Sequence, residues 1–275
     1  MKIAWLYSEL LDLYGDRGNM VLLQKRLEQM GIDCTLQQYH LEEEMDFSDC
    51  DMVYIGPGKA ANLFAAAKDI LRHREALLEA YHNNVVFLIT GNARALFGKS
   101  LISPQGEETE CLGFFDYVTQ ESFQVHAYDA AEKVSFLEEP LVGFVNRTCS
   151  IQGNNADVFG NMLLGAGDEA QCKTEGNFAN RFFGTYLLGP VLVKNPAFAE
   201  YFYKYRRRVT LADGTPARGR VVAEFRVNDA GVPSGIRIVA GLSPEINREV
   251  IELLLEGPRW EPTSGERIRT VLLYE

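Results

Sequence analysis

What is scarce in this 275-residue chain narrows its chemistry before any motif is read. There are five cysteines, Cys34, Cys50, Cys111, Cys149 and Cys172, an odd and scattered set with no C-x-x-C pair. That spacing supports neither a disulfide framework nor a zinc site, and fits reduced thiols in a cytoplasmic protein. Histidine is rarer still, at four residues. Positive charge is short: 27 Lys and Arg stand against 38 Asp and Glu, a formal net charge of −11. This argues against non-specific nucleic-acid binding, which neutralises phosphates, and gives no support for an anionic membrane as partner. Long apolar runs are missing, and Met1-Lys2-Ile3-Ala4-Trp5-Leu6-Tyr7 opens directly as a strand, with no room for a signal peptide. The expectation is a cytoplasmic protein. An apolar fraction of 47% and a charged fraction of 24% are ordinary for a soluble globular chain, long enough for one large domain or two smaller ones.

What is present alternates strand and helix. A strand at residues 2–7 is followed by the glycine-punctuated loop Tyr14-Gly15-Asp16-Arg17-Gly18-Asn19. A helix over 20–30 follows, with Val21, Leu22, Leu27 and Met30 at helical spacing and Gly31 as its stop. Strands are predicted at 34–39, 51–55 and 85–90, with a helix over about 62–81. The acidic run Leu41-Glu42-Glu43-Glu44 reads as a solvated turn. Short connections between alternating elements predict a doubly wound, mostly parallel α/β sheet. Sites in such sheets lie at the C-terminal strand ends, so the loops after Tyr7, Ile55 and Thr90 should meet. Gly56-Pro57-Gly58-Lys59 lacks the spacing of a phosphate loop.

The stretch Val85-Val86-Phe87-Leu88-Ile89-Thr90-Gly91-Asn92-Ala93-Arg94-Ala95-Leu96-Phe97-Gly98 reads as a buried strand, a sharp turn and a helix. Such an elbow can lift a nucleophile out of a sheet and hold an oxyanion on backbone N–H groups. Here no Ser or Cys sits on the turn; the residues are Thr90, Gly91 and Asn92. From about 101 to 161 the pattern turns to antiparallel pieces, at 114–118, 134–136 and 141–145, with a turn at Gly153-Asn154-Asn155. A strand at 180–187 ends in Gly189-Pro190, and Asn195-Pro196 opens a helix to about 205 that ends in the basic Lys204-Tyr205-Arg206-Arg207-Arg208. Ala212-Asp213-Gly214-Thr215-Pro216 is linker chemistry. Beyond it lies a small β-β-α-β module: a strand at 220–227, the hairpin turn Asn228-Asp229-Ala230-Gly231, and a strand at 236–240. A helix capped by Ser243-Pro244 and stopped by Gly257-Pro258 leads to a last strand at 268–274. Domains are expected at 1–205 and 209–275.

Two resemblances follow. Leu13-Tyr14-Gly15-Asp16-Arg17-Gly18-Asn19, Ile55-Gly56-Pro57-Gly58, Gly143-Phe144-Val145-Asn146 and the run from Gly184-Thr185-Tyr186-Leu187-Leu188-Gly189-Pro190 to Asn195-Pro196 occur in order across the first part. This part resembles class I glutamine amidotransferase domains of the cobyric-acid-synthase type, and in particular the glutaminase subunits of lipid II isoglutaminyl synthases. The resemblance implies a glutaminase that feeds ammonia to a Mur-ligase-like synthetase partner for amidation of peptidoglycan precursors. Its chemistry needs a Cys on the elbow, whose thiolate attacks the glutamine amide, and a His that activates it. Aligned on Gly98, the nucleophile position is Gly91 and the His position is Leu188; the Gln and Asp after the glycine loop become Lys59 and Ala60, and Arg147 follows the Gly-Phe-x-Asn motif. Gly cannot attack and Leu cannot accept a proton. Gly56, Gly58 and Asn92 remain as candidates for an oxyanion or ligand loop, and Tyr14, Asp16, Arg17 and Asn19 as a polar loop beside the first helix. Neither Thr90, Cys111 nor His126 stands at a motif position to substitute, and neither cofactor nor metal is implied.

The second resemblance covers 209–275. Gly219-Arg220-Val221-Val222-Ala223-Glu224-Phe225-Arg226-Val227, Val239-Ala240-Gly241-Leu242-Ser243-Pro244-Glu245 and Pro258-Arg259-Trp260-Glu261-Pro262 look like a TonB C-terminal domain. The likeness is carried for the fold, because strand pairing with an outer-membrane receptor needs a periplasmic location and an anchor. Three readings follow: a degenerate amidotransferase-like subunit that binds or regulates; an active amidotransferase with an unrecognised nucleophile; and an interaction protein working through its C-terminal module. The first leaves room for a retained small-molecule ligand.

Overall fold

The computed structural model describes residues 1–83, 85–154, 158–204, 219–256 and 267–274. The chain forms two compact units, Met1–Arg206 and Arg207–Glu275. Strands β1 (Lys2–Leu6), β2 (Thr35–Tyr39), β3 (Met52–Ile55) and β4 (Val86–Thr90) alternate with helices α1 (Gly18–Gln29), α2 (Ala60–Ile70) and α3 (Arg74–His82). Two short strands follow, β5 (Ser100–Ile102) and β6 (Glu108–Glu110), then the long pair β7 (Val118–Val134) and β8 (Leu141–Gln152). After β9 (Gly160–Leu164), β10 (Thr174–Glu175), β11 (Asn177–Ala179) and β12 (Phe182–Thr185), the unit closes with α4 (Val191–Lys194) and α5 (Pro196–Lys204).

The first sheet has the order β11-β12-β4-β3-β1-β2. All its pairs are parallel except the edge strand β11. Strands β3 and β4 are buried along their whole length, as expected of strands covered on both faces, whose apolar residues then run continuously. Beneath the elbow, Phe87 stacks on Phe182, and Phe97, Phe114 and Phe115 pack edge-on around them. Each buried ring of this size contributes roughly 1.5–3 kcal/mol, so the floor under the elbow is stiff. The second sheet has the order β10-β9-β7-β5-β6, with β8 also paired to β7.

Several expectations change here. The helix over 62–81 is broken by a 3-10 turn at Leu71–His73. The pieces at 114–118, 134–136 and 141–145 are replaced by the 17-residue β7 and 12-residue β8; Phe123, Val125 and Ala127 do alternate with polar residues in the middle of β7, but this stretch is largely solvent-facing. The segment after Thr90 is a 3-10 helix, Gly91–Phe97, where an α-helix was expected. The strand at 180–187 is the shorter β12, preceded by left-handed Asn180 and Arg181.

In the second unit, β13 (Gly219–Val227) lies between β14 (Pro233–Ala240) and β15 (Ile268–Tyr274), all antiparallel, with α6 (Pro244–Glu256) between β14 and β15 in sequence. Val221, Ala223, Phe225 and Val227 alternate onto the face that meets Ile246, Val250 and Leu254 of α6, combining the period-2 and i, i+4 patterns in one small core. Ser243 Oγ accepts the Ile246 N–H at 3.2 Å, an N-cap just before Pro244. The linker at 212–216, the basic residues 205–208, Asn155 and the stretch 257–262 with Trp260 lie outside the described residues.

Candidate functional site

The three loops predicted to meet do meet. The Leu13 N–H donates to the Pro57 carbonyl at 2.9 Å, and Asn62 Nδ2 donates to the Leu10 carbonyl at 2.9 Å. These bonds tie the loop after β1 to the glycine loop after β3. Asn92 ties that loop to the elbow: its Nδ2 donates to the Gly58 carbonyl at 2.8 Å, and its Oδ1 accepts the Gly58 N–H at 3.0 Å. Asn92 and Gly58 are therefore each other's partners. Close approach explains the glycines, since a Cβ at Gly58 would lie 2.2 Å from Leu11 Cδ2 and one at Gly56 2.8 Å from the Leu11 carbonyl oxygen.

Thr90 ends β4 in extended backbone, and Gly91 turns it with φ +59°. A side chain in that left-handed region is strained by roughly 1–2 kcal/mol. Space is also closed there: a Cβ on Gly91 would stand 2.7 Å from Pro57 Cβ and 3.2 Å from Leu188 Cδ2. Leu188 is fully buried. It is held by reciprocal backbone bonds with Phe144, Phe144 N–H to Leu188 O at 3.1 Å and Leu188 N–H to Phe144 O at 2.9 Å. Gly143 permits this approach, because its Cβ would lie 2.6 Å from the Leu188 carbonyl oxygen. The Gly-Phe-x-Asn and Gly-Thr-Tyr-Leu-Leu-Gly-Pro motifs are thus two halves of one contact.

Of the polar loop beside α1, Asp16 and Asn19 reach the site and Tyr14 and Arg17 do not. Asp16 is fully buried. Its Oδ2 accepts hydroxyl protons from Thr90 and Tyr54, each at 2.5 Å. Burial raises the Asp16 carboxyl to about 6, against the lowering effect of those hydrogen bonds. Asp16 Oδ1 and Asn19 Nδ2 have no hydrogen-bond partner among the described residues. Asn19 Oδ1 caps the Leu192 N–H at 2.9 Å. Tyr14 is exposed and edge-on to Phe144, and Arg17 pairs with Asp12 at 2.5 Å on the surface. Lys59 and Ala60 stand at the start of α2, Lys59 exposed and Ala60 half-buried.

The middle of the 3-10 segment carries a cluster that the sequence did not announce. Arg94 is fully buried. It donates to Asp168 at 2.6 and 3.1 Å, to Glu175 at 3.2 Å and to Asn177 at 2.9 Å. Its guanidinium lies 4.7 Å from the Tyr186 ring centroid, and that of Arg147 4.2 Å from the same ring. Arg147 donates to the carbonyls of Asp168 and Gly167. Glu132 is buried beside Glu175, and desolvation holds its carboxyl well above the usual carboxylate range. Nothing in a linear reading connects residues separated by 74 to 83 positions; buried Arg on an otherwise apolar segment is the one signal that could have raised the question.

Three of the five thiols are buried. Cys111 and Cys149 are buried, and burial pushes each thiol up to about 12; Cys50 rises to about 11. A thiol so raised is protonated at neutral pH and a poor nucleophile. His126 sits on β7 across from Arg147 of β8.

Comparison with known proteins gives the context. The profile of the CobB/CobQ-like glutamine amidotransferase domain matches residues 2–196. The chain is 29% identical over 202 residues, 73% of its length and 82% of the relative's, to "Lipid II isoglutaminyl synthase (glutamine-hydrolyzing) subunit GatD" of Staphylococcus aureus (strain N315). It is 24% identical over 208 residues to the subunit of the same name from Streptococcus pneumoniae, covering 72% of this chain and 77% of the relative. A solved glutamine amidotransferase overlays 73% of this chain and 97% of its own at 14% identity, with a TM-score of 0.48. The acivicin-bound glutaminase domain of Trypanosoma brucei CTPS overlays 74% of this chain and 92% of its own at 11% identity, with a TM-score of 0.46.

Proposed function

The chain belongs to the CobB/CobQ-like glutamine amidotransferase family, and we propose that it no longer hydrolyses glutamine and acts as a binding or regulatory subunit. One observation carries this reading. The position aligned with the nucleophile is a glycine whose missing side chain would collide with Pro57 and Leu188, and Leu188 itself stands where the activating histidine is expected. The elbow keeps its left-handed turn and lacks the nucleophile, the base and the volume. The Gly58 N–H, a candidate oxyanion donor, already serves the Asn92 side chain. An oxyanion hole requires donors free to meet developing charge.

The relatives are named as subunits of a glutamine-hydrolysing lipid II isoglutaminyl synthase. By that likeness we place this protein beside a Mur-ligase-like synthetase partner in peptidoglycan-precursor amidation, where it would scaffold the partner without supplying ammonia. Sequence and fold also support a cytoplasmic setting; no helix among the described residues is long and apolar enough to cross a membrane. The competing reading, an active amidotransferase with another nucleophile, is tested by ammonia release from glutamine with and without the synthetase partner. The expected result is no release above the protein-free rate. Release that disappears on Thr90→Val or on substitution of a single cysteine would overturn the proposal. The third reading, in which the TonB-like module is the working part, predicts loss of partner capture when the chain is cut after residue 208.

A further inference from the structure

The second unit uses its charges in an unusual way. Between Arg207 and Glu275 there are ten arginines, ten acidic residues and no lysine, so the formal net charge of −11 belongs entirely to the first 206 residues. Four of those arginines lie together. In the antiparallel register Glu224 of β13 stands between Arg237 of β14 and Arg269 of β15. Arg226 is one step further along the same face of β13, and Arg267 immediately precedes β15, two residues before Arg269. This is the face opposite α6, since the alternate residues Val221, Ala223, Phe225 and Val227 are the ones that pack in the core.

All four guanidinium groups are exposed. Among the described residues Glu224 is the one carboxylate between them, and both of its oxygens are engaged, Oε2 with Arg237 at 2.8 Å and Oε1 with Arg269 at 3.4 Å. The Arg237 and Arg269 partners hold the Glu224 carboxyl below its usual range. Arg267 donates one N–H to the Gly235 carbonyl at 3.5 Å, and Arg226 has no ion pair among the described residues. Among the described side chains, four positive charges stand here against one negative in a protein that is acidic overall. Glu224 acts as a spacer that splays two guanidinium forks and leaves their outer N–H groups to solvent.

We propose that the sheet face bearing Arg226, Arg237, Arg267 and Arg269 docks an acidic polypeptide segment, taking its carboxylates on the guanidinium forks. Exclusive use of arginine favours planar, two-pronged recognition of carboxylate or phosphate over diffuse attraction. Carboxylate on a peptide is favoured here because a short extended segment fits within the one face of this three-stranded sheet, and Glu224 already shows a carboxylate taken between two of these guanidinium groups. The inference stands on the second unit alone and is independent of whether the elbow is catalytic.

The test uses the full chain and a fluorescein-labelled poly-L-glutamate peptide, followed by anisotropy at two salt concentrations. Saturable binding that weakens with salt is expected. The double variant Arg226→Glu, Arg267→Glu should lose about tenfold or more in affinity, the equivalent of one hydrogen bond to a charged group. Arg248→Glu, an equal kind of change on the exposed side of α6, should leave binding unchanged. Arg226→Lys with Arg267→Lys keeps the charge and the fold and should still weaken binding measurably, because the fork is gone. Absence of saturable binding, equal loss in Arg248→Glu, full affinity in the lysine variant, or tighter binding of duplex DNA or phosphatidylserine vesicles would each overturn the proposal.

Discussion

The start and the middle of one seven-residue segment, Gly91–Phe97, are built on different terms. At its start, on the reading we propose, glycine stands for the nucleophile and leucine for the base, and Asn92 closes on the Gly58 loop. Three residues later Arg94 anchors a buried cluster of Asp168, Glu175 and Asn177, with Glu132, Arg147 and Tyr186 around it. On that reading the absent groups are ones that would act on a substrate outside the chain. The retained groups act only on one another. Side chains that serve a substrate can disappear without cost to the fold, whereas removing one member of a buried ionic network leaves its partners charged and unsolvated. That contrast favours a protein selected for its folded surface over one selected for hydrolysis.

Three substitutions sharpen or break this contrast. The largest effect should come from Arg94→Met, which leaves Asp168 and Glu175 buried without their cation and should cost about 3–5 kcal/mol in urea or guanidinium unfolding. A cost below about 1 kcal/mol would mean that the cluster is as dispensable as the elbow. Next is Asp16, beneath the elbow, whose carboxyl is raised by burial from 3.8 to about 6. A raised folded-state value means that the folded chain holds the proton more tightly than the unfolded one. Stability from this group is complete below pH 3.8 and falls as the pH rises through about 6, by roughly 3 kcal/mol in total. Asp16→Asn should flatten that part of the stability profile relative to the parent; parallel profiles would contradict the account. Smallest is Gly91→Ala, expected to cost about 1–3 kcal/mol from left-handed strain and overpacking against Pro57 and Leu188. A neutral Gly91→Ala would show that the vacancy is open and a ligand could enter it.

Much of this was legible from sequence, for identifiable reasons. Strands β3 and β4 are continuous apolar runs bounded by turn residues, and the loops at their ends met as the topology rule requires. Gly91 and Leu188 could be set opposite one another because glycine-rich motifs fix the alignment around both, and Leu188 Cδ2 does face the Gly91 position. Less could be read where tertiary contacts decide the conformation. Residues 91–97 are helix-forming in composition, yet Arg94 and the Phe97 ring are pulled inward by different partners and the segment stays 3-10. The middle of β7 alternates at Phe123, Val125 and Ala127, yet Phe123 and Val125 face solvent, so the pattern is not tied to the core. The Arg94 cluster joins four distant segments, and no local pattern records such a meeting. Asn92 was readable as a ligand-facing polar residue; only the geometry pairs it with Gly58.

The central claim, that the elbow is filled and chemically silent, is tested most directly by an electrophilic chloroketone analogue of glutamine, which alkylates a glutaminase nucleophile. Intact-mass spectrometry of the full chain after incubation, with and without the synthetase partner, should show no adduct beyond the slow labelling seen in denatured controls. A stoichiometric adduct that maps to Thr90 or to one cysteine, and that excess glutamine prevents, would show a working nucleophile and contradict the account.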